Sequence, residues 1–204
     1  MKKLFLTLIV SFIVAAGFSQ HVSVNAFGGY TFRDRINFNN AYAYINGGGM
    51  WGASVEGVNA QGTGVEVLYQ YQSTAIPYYE GGVQQVGNNS TVVSYLLLNF
   101  EQYLLNNPKI QPYGGLGLGI AFYQGTSQNT KAGTKFAWDL KAGVKLMAAK
   151  SFGIKIGAQL LASAQATGTA FYVPYPGYIY PVTTYATILQ FGFTGGLVYD
   201  FGGK

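Results

Sequence analysis

Seven charged side chains recur at alternate positions inside otherwise apolar segments: Glu56, Glu66, Glu101, Asp139, Lys141, Lys145 and Lys155. Three of them share the stretch KFAWDLKAGVKL, residues 135–146, with Phe136, Trp138, Leu140, Ala142, Val144 and Leu146. Successive side chains of a strand point to opposite faces, so the charges take one side and the large apolar residues the other. Such a set supports acid/base work by paired carboxylates, or ion pairing that compensates charges shut away from water. Glu56 and Glu66 flank a short turn around Asn59-Ala60-Gln61 and can be neighbours across it. No pocket-forming residues converge on them, so we read them as members of ion pairs. Acids and bases are expected to meet in one network, with Glu66, Lys141 and Lys145 central and Asp200 nearest a wet end.

Other chemistry has little material. Cysteine is absent, which excludes disulfide staples, thiolate metal sites and thiol redox work. The only histidine, His21, falls at or beside the expected mature N-terminus, where disorder is usual, so neither a Ser-His pair nor a histidine metal cluster can be assembled. Gly115-Leu-Gly-Leu-Gly119 lacks the spacing of a dinucleotide-binding loop and no amphipathic helix follows it; these glycines read as small residues on one strand face. The sequence therefore predicts no catalytic residue, no metal and no cofactor.

The elements that must carry these charges begin after a leader. Met1-Lys2-Lys3 precedes an apolar run from Leu4 to Ala16, too short to span a bilayer and typical of a secretory signal peptide, with cleavage expected between Ser19 and Gln20. This divides the chain into a signal peptide, 1–19, and a mature domain, 20–204. Without Lys2 and Lys3 the chain has 10 basic and 7 acidic residues, a mild +3. The basic residues sit singly within strand patterns, and no nucleic-acid groove is expected. Charged residues are only 9% of the chain and aromatics 16%, too little charge for the surface of a soluble domain.

Segments of about ten alternating residues recur through the mature chain, about eight in all, beginning with Val22 to Phe32 and ending with Thr187 to Phe201. Their connections alternate in length. Long ones are read at Arg33 to Asn46, Ser73 to Asn89 and Ala164 to Ala186, a medium one at Thr126 to Thr130, and short ones at Asn59-Ala60-Gln61, Asn106-Asn107-Pro108 and Lys150-Ser151. That rhythm is the mark of an all-β, eight-stranded antiparallel up-and-down transmembrane β-barrel with both chain ends at the periplasmic side. The polar face is dominated by Gly, Ser, Ala and Gln, which suits a narrow interior better than a water-facing surface, so the apolar face is assigned to lipid. A soluble periplasmic barrel or sandwich is the other reading.

Phe27-Gly-Gly-Tyr-Thr-Phe32, the stretch Gln111-Pro-Tyr-Gly-Gly-Leu-Gly-Leu-Gly-Ile-Ala-Phe-Tyr123 and the aromatic-alternating last strand resemble the small outer membrane protein β-barrel domain family, OmpA-like in architecture. The likeness runs the length of the mature chain. It implies an eight-stranded barrel in the outer membrane of a Gram-negative bacterium, here without a peptidoglycan-binding domain. Implied partners are outer membrane lipids, the barrel assembly machinery during insertion and an extracellular surface partner.

The last long connection, Phe171-Tyr-Val-Pro-Tyr-Pro-Gly-Tyr-Ile-Tyr-Pro181, has the most unusual local composition. Tyrosine supplies amphipathic contact area and proline stiffens the backbone, so Phe171, Tyr172, Tyr175, Tyr178 and Tyr180 are candidates for an extracellular recognition loop. The same residues also suit a loop folded over the barrel mouth or an interfacial aromatic belt. The functional expectation is a non-enzymatic outer membrane barrel with a structural or adhesive surface role and a lumen plugged by charge. The alternative is a narrow pore or transporter for small solutes.

Overall fold

The computed structural model describes residues 21–37, 41–84, 90–125, 133–164, 171–175, 178–182 and 188–202, with backbone alone at 36, 37, 41, 78, 80, 84, 90, 125, 164, 171–175 and 178–182. The expected leader, 1–19, lies outside the described residues. Among the described residues fourteen strands follow in chain order: β1 His21–Thr31, β2 Asp34–Asn37, β3 Ala41–Ile45, β4 Gly48–Val58, β5 Thr63–Ala75, β6 Tyr78–Glu80, β7 Val83–Gln84, β8 Ser90–Tyr103, β9 Ile110–Gly125, β10 Gly133–Met147, β11 Phe152–Ala164, β12 Phe171–Tyr175, β13 Tyr178–Val182 and β14 Ile188–Asp200.

Eight of them close a barrel in the order β1-β14-β11-β10-β9-β8-β5-β4, every pair antiparallel. The seam joins the first strand to the last, with Ser23 opposite Asp200 and Thr31 opposite Gly192. Closure leaves no unpaired strand edge within the ring, which is the condition for strands to cross hydrocarbon. The eight strands are 11 to 16 residues long, enough to cross at a tilt, for which about 9–11 residues suffice.

Alternation sets the two faces. Outward positions are large and apolar: Leu116 is 53% exposed, Leu140 54%, Phe193 54% and Leu197 57%. Many inward positions are polar and buried, among them Glu66, Gln70, Asp139, Gln159 and Gln190. An exterior so apolar around an interior so polar inverts the soluble pattern and requires lipid as the outer solvent.

The short connections fall at one end. At Asn59, the side-chain Oδ1 accepts the N–H groups of Gln61 (3.0 Å) and Thr63 (2.9 Å), and Gly62 takes φ +85°, a left-handed conformation that glycine adopts without steric cost. His21 is part of β1, opposite Val58, with its Nδ1 3.5 Å from Asp200 Oδ1. The expected disorder at this position is thereby corrected: His21 itself is paired in the sheet.

The long-connection end differs from the sequence reading in a second way. The segments read as loops at Arg33 to Asn46 and Ser73 to Asn89 contain a four-stranded sheet of order β2-β3-β6-β7, and the last connection contains the hairpin β12-β13. Ala-Tyr-Ala-Tyr-Ile in β3 carries the alternation of a strand; one partner, β2, is its neighbour in the same connection, but the other, β6, comes from a separate connection, so that pairing is not local in sequence.

Candidate functional site

The inward faces of six strands bring the site together. β4 supplies Glu56, β5 Glu66, β8 Asn99, Glu101 and Tyr103, β10 Asp139, Lys141 and Lys145, β11 Lys155, and β14 Asp200; all are buried. β9, which lies between β8 and β10, faces the lumen with Gly115, Gly117 and Gly119. A Cβ at Gly115 would lie 2.9 Å from Glu101 Cγ, and one at Gly117 would overlap Asn99 Oδ1 and Asp139 Oδ1. The glycines therefore thin one wall so that neighbouring side chains can lean into its space. Gly143 and Gly157, paired across β10 and β11, do the same for Tyr113, whose hydroxyl is 2.8 and 2.5 Å from where their Cβ atoms would be.

Into that space the charges interlock. Lys141 Nζ donates to Glu66 Oε2 and lies 2.6 Å from Glu101 Oε1. Lys155 Nζ lies 2.8 Å from Glu101 Oε2, 3.5 Å from Glu66 Oε1 and 3.6 Å from Glu56 Oε1. Lys145 Nζ sits at the margin, 3.9 Å from Glu56 Oε2 and 4.0 Å from Asp200 Oδ2. Neutral donors complete the shell: the Tyr103 hydroxyl is 2.5 Å from Glu56 and 2.8 Å from Glu101, Asn99 Nδ2 donates to Glu66 at 2.7 Å, and Ser23 Oγ donates to Glu56 at 3.3 Å. The Tyr113 ring faces the Lys155 ammonium at 4.5 Å.

The sequence placed Glu66, Lys141 and Lys145 at the centre; in the structure Lys155 makes the most ion pairs, with three carboxylates, and Lys145 makes the two longest contacts. Asp139 stands apart. It is 1% exposed, and neither of its carboxylate oxygens has a hydrogen-bond partner among the described residues. The lumen holds five buried carboxylates, on Glu56, Glu66, Glu101, Asp139 and Asp200, against the ammonium groups of Lys141, Lys145 and Lys155, a formal −2.

A second layer lies beside the charges, toward the long-connection end, and the sequence reading missed it. Phe27, Leu68, Val93, Tyr95, Leu97, Ala121, Ala137 and Leu161 form one buried apolar cluster inside the barrel. Their signal was parity: Phe27 shares the face of Ser23 and Asn25, and Leu68 that of Glu66. A cavity of about 20 Å³ separates the layers, bounded by Asn25, Phe27, Glu66, Leu68, Tyr113, Lys141, Lys155, Gln159 and Thr194, with room for about one water. Nearer the mouth, Gln159 Nε2 donates to Gln70 Oε1 at 2.9 Å and Gln72 Nε2 to Thr31 Oγ1 at 2.7 Å.

The outer membrane protein OprG from Pseudomonas aeruginosa superposes with a TM-score of 0.63 at 12% identity, over 89% of this chain and 95% of that one. The fold is that of the small outer membrane β-barrels. Neisserial surface protein A gives a TM-score of 0.58 at 10% identity, over 90% and 98% of the two chains. The N-terminal β-barrel domain of Pseudomonas aeruginosa OprF gives 0.54 at 12%, likewise over 90% and 98%. No family model and no curated protein matches the sequence. Within this outer membrane barrel no group of three or more histidine, aspartate or glutamate side chains suited to a metal ion occurs among the described residues. The side chains of Phe171, Tyr172, Tyr175, Tyr178 and Tyr180, the candidate recognition loop, lie outside the described residues; their backbone forms β12 and β13.

Proposed function

We propose that the protein is a non-enzymatic structural barrel of the outer membrane, closed to solutes by its own lumen side chains and acting through its surface. The observation that carries this reading is the pairing of Lys155 with Glu56, Glu66 and Glu101, from β4, β5 and β8, across the lumen from β11. With Lys141 bound to two of the same carboxylates, this lattice ties opposite walls together at one level, and the apolar cluster fills the next. Ions meet fixed charges most of which are paired with one another, then a segment lined mainly by apolar side chains. Short turns and both chain ends belong at the periplasmic side, and the strands beyond the mouth belong outside the cell. There the Tyr- and Pro-rich β12–β13 hairpin is the adhesive candidate, tested by loss of surface binding when residues 171–181 are trimmed.

The test is conductance. Mature protein refolded into planar bilayers is expected to be silent, whereas a Lys141→Ala, Lys145→Ala variant, which leaves carboxylates without their cations, leaks. Steady conductance of the unmodified barrel would overturn the closed reading and establish the alternative, a narrow pore for small solutes.

A further inference from the structure

Three neighbouring strands meet at one level of the lumen in the register Asn99, Gly117, Asp139, across β8, β9 and β10. Gly117 contributes no side chain there. The side chains on either side lean over it until Asn99 Oδ1 and Asp139 Oδ1 both fall within the volume that one Cβ on Gly117 would fill. Asn99 is 0% exposed and Asp139 1%. Neither of these oxygens, nor Asp139 Oδ2, has a hydrogen-bond donor among the described residues. The amide cannot turn round to supply one, because Asn99 Nδ2 is held by Glu66 Oε2 at 2.7 Å, and a carboxylate at that place needs the N–H side of the amide.

The neighbouring cations are committed elsewhere. Lys141, two residues on and on the same face, reaches Glu66 and Glu101. Lys135, four residues toward the mouth, stands roughly 13 Å farther along the strand. Its ammonium lies 5.5 Å over the Tyr123 ring. Charge points the same way. Asp200 belongs to the short-turn end, where it faces His21 and accepts the Gly202 N–H at 2.8 Å. Without it the inner lumen sets Glu56, Glu66, Glu101 and Asp139 against Lys141, Lys145 and Lys155, a formal −1. A buried charge is costly unless it is paired, so one positive charge is missing where three oxygens lack partners.

We infer that Asp139 and Asn99 hold one small monovalent cation of the sodium class, the Asp139 carboxylate binding through both oxygens and the Asn99 carbonyl oxygen supplying a third. Hard oxygens of these two kinds suit such an ion. A divalent ion would turn the formal −1 into +1, and a proton shared between the two Oδ1 atoms would leave Asp139 Oδ2 without a partner. One carboxylate suffices because the carboxamide does the rest, which is why no triplet of His, Asp and Glu marks the place. The ligands sit on strands that follow one another in the chain, so the site forms before the ring closes and the ion is enclosed with it. The inference holds whether or not the lumen conducts.

The test is urea unfolding of the mature barrel in lipid vesicles at fixed pH and fixed ionic strength, with sodium chloride exchanged for choline chloride. Insertion and heat-modifiable gel mobility are recorded first, so a failure of the membrane reading is seen separately. Once the site is filled, each tenfold rise in sodium is expected to lower the unfolding constant about tenfold, the slope for one ion per barrel, whereas choline, too large for the site, gives no such slope. Asp139→Asn, whose amide can donate to Asn99 Oδ1, is expected to fold and to lose the sodium slope. Gly117→Ala, whose methyl group takes the ion's place, loses it as well. An unmodified barrel indifferent to sodium, an equal slope in choline, or a slope that survives in Asp139→Asn would each overturn the proposal. Stability that follows pH but not sodium would assign a proton to Asp139 and overturn it too.

Discussion

Replacing Lys155 by Met keeps most of the side-chain volume and removes only the ammonium group that three carboxylates share. Its nearest contacts, 2.8 Å to Glu101, 3.5 Å to Glu66 and 3.6 Å to Glu56, are all to side chains less than 3% exposed. Removing one partner of a buried ion pair costs about 3–5 kcal/mol because the remaining charge stays buried. Here the lumen moves from a formal −2 to −3, and the three carboxylates keep only Lys141, beside Glu66 and Glu101, and the more distant Lys145, 3.9 Å from Glu56. With a urea slope of about 2 kcal/mol/M, the unfolding midpoint should fall by on the order of 2 M. The assay is urea titration in lipid vesicles, followed by gel mobility and tryptophan fluorescence. The companion variant Lys155→Met, Glu101→Gln restores the formal charge and should recover a large part of the loss, giving a coupling of at least ~1 kcal/mol. A midpoint shift under ~0.5 M, or a double variant no better than the sum of the singles, would refute the account of the lumen as a mutually compensating lattice.

Other perturbations test other parts of the barrel. Leu118→Arg, on the lipid face near the middle of β9, should cost about 2–4 kcal/mol in vesicle unfolding, whereas a water-facing site would shift by less than ~0.5 kcal/mol. Gly117→Val must displace Asn99 and Asp139 and should destabilise by at least 1–3 kcal/mol as overpacking, with Gly133→Val, where a Cβ meets nothing within 4 Å, as the neutral control. Tyr113→Ala uncovers Gly143 and Gly157 and removes the ring facing Lys155, with an expected loss of about 3–5 kcal/mol in the same titration, while Tyr113→Phe retains most of the packing.

Much of this barrel was written in parity. Asp139, Lys141 and Lys145 sit two and four residues apart, so any strand through them must turn all three the same way, and the lean polar face chose the inside. What parity does not contain is stagger. Which lysine meets which glutamate depends on how far each strand slides past its neighbour around the ring, and that offset sets Lys155 rather than Lys145 among three carboxylates. Tyr103 and Tyr113 were legible as inward residues by the same rule, yet their role as donor and as cover over paired glycines depends on residues 30 or more positions away in the chain coming into register. The strands beyond the mouth were hidden for another reason: each is two to five residues long, below the length at which alternation separates from chance.

The lumen lattice also governs how the ring comes apart. Its contacts join residues 54, 75 and 122 positions apart in the chain, in Lys155 with Glu101, Lys141 with Glu66, and Lys145 with Ser23. None of them can form until strands from both halves of the sequence face one another around a nearly closed ring. Before closure these side chains line an open, hydrated trough, so they contribute little to the transition state for assembly. Interactions made only after that barrier leave the folding rate almost untouched and act instead on the rate of opening. The charged lumen is thus a latch set after the last strand meets the first, and its removal should appear chiefly as faster unfolding.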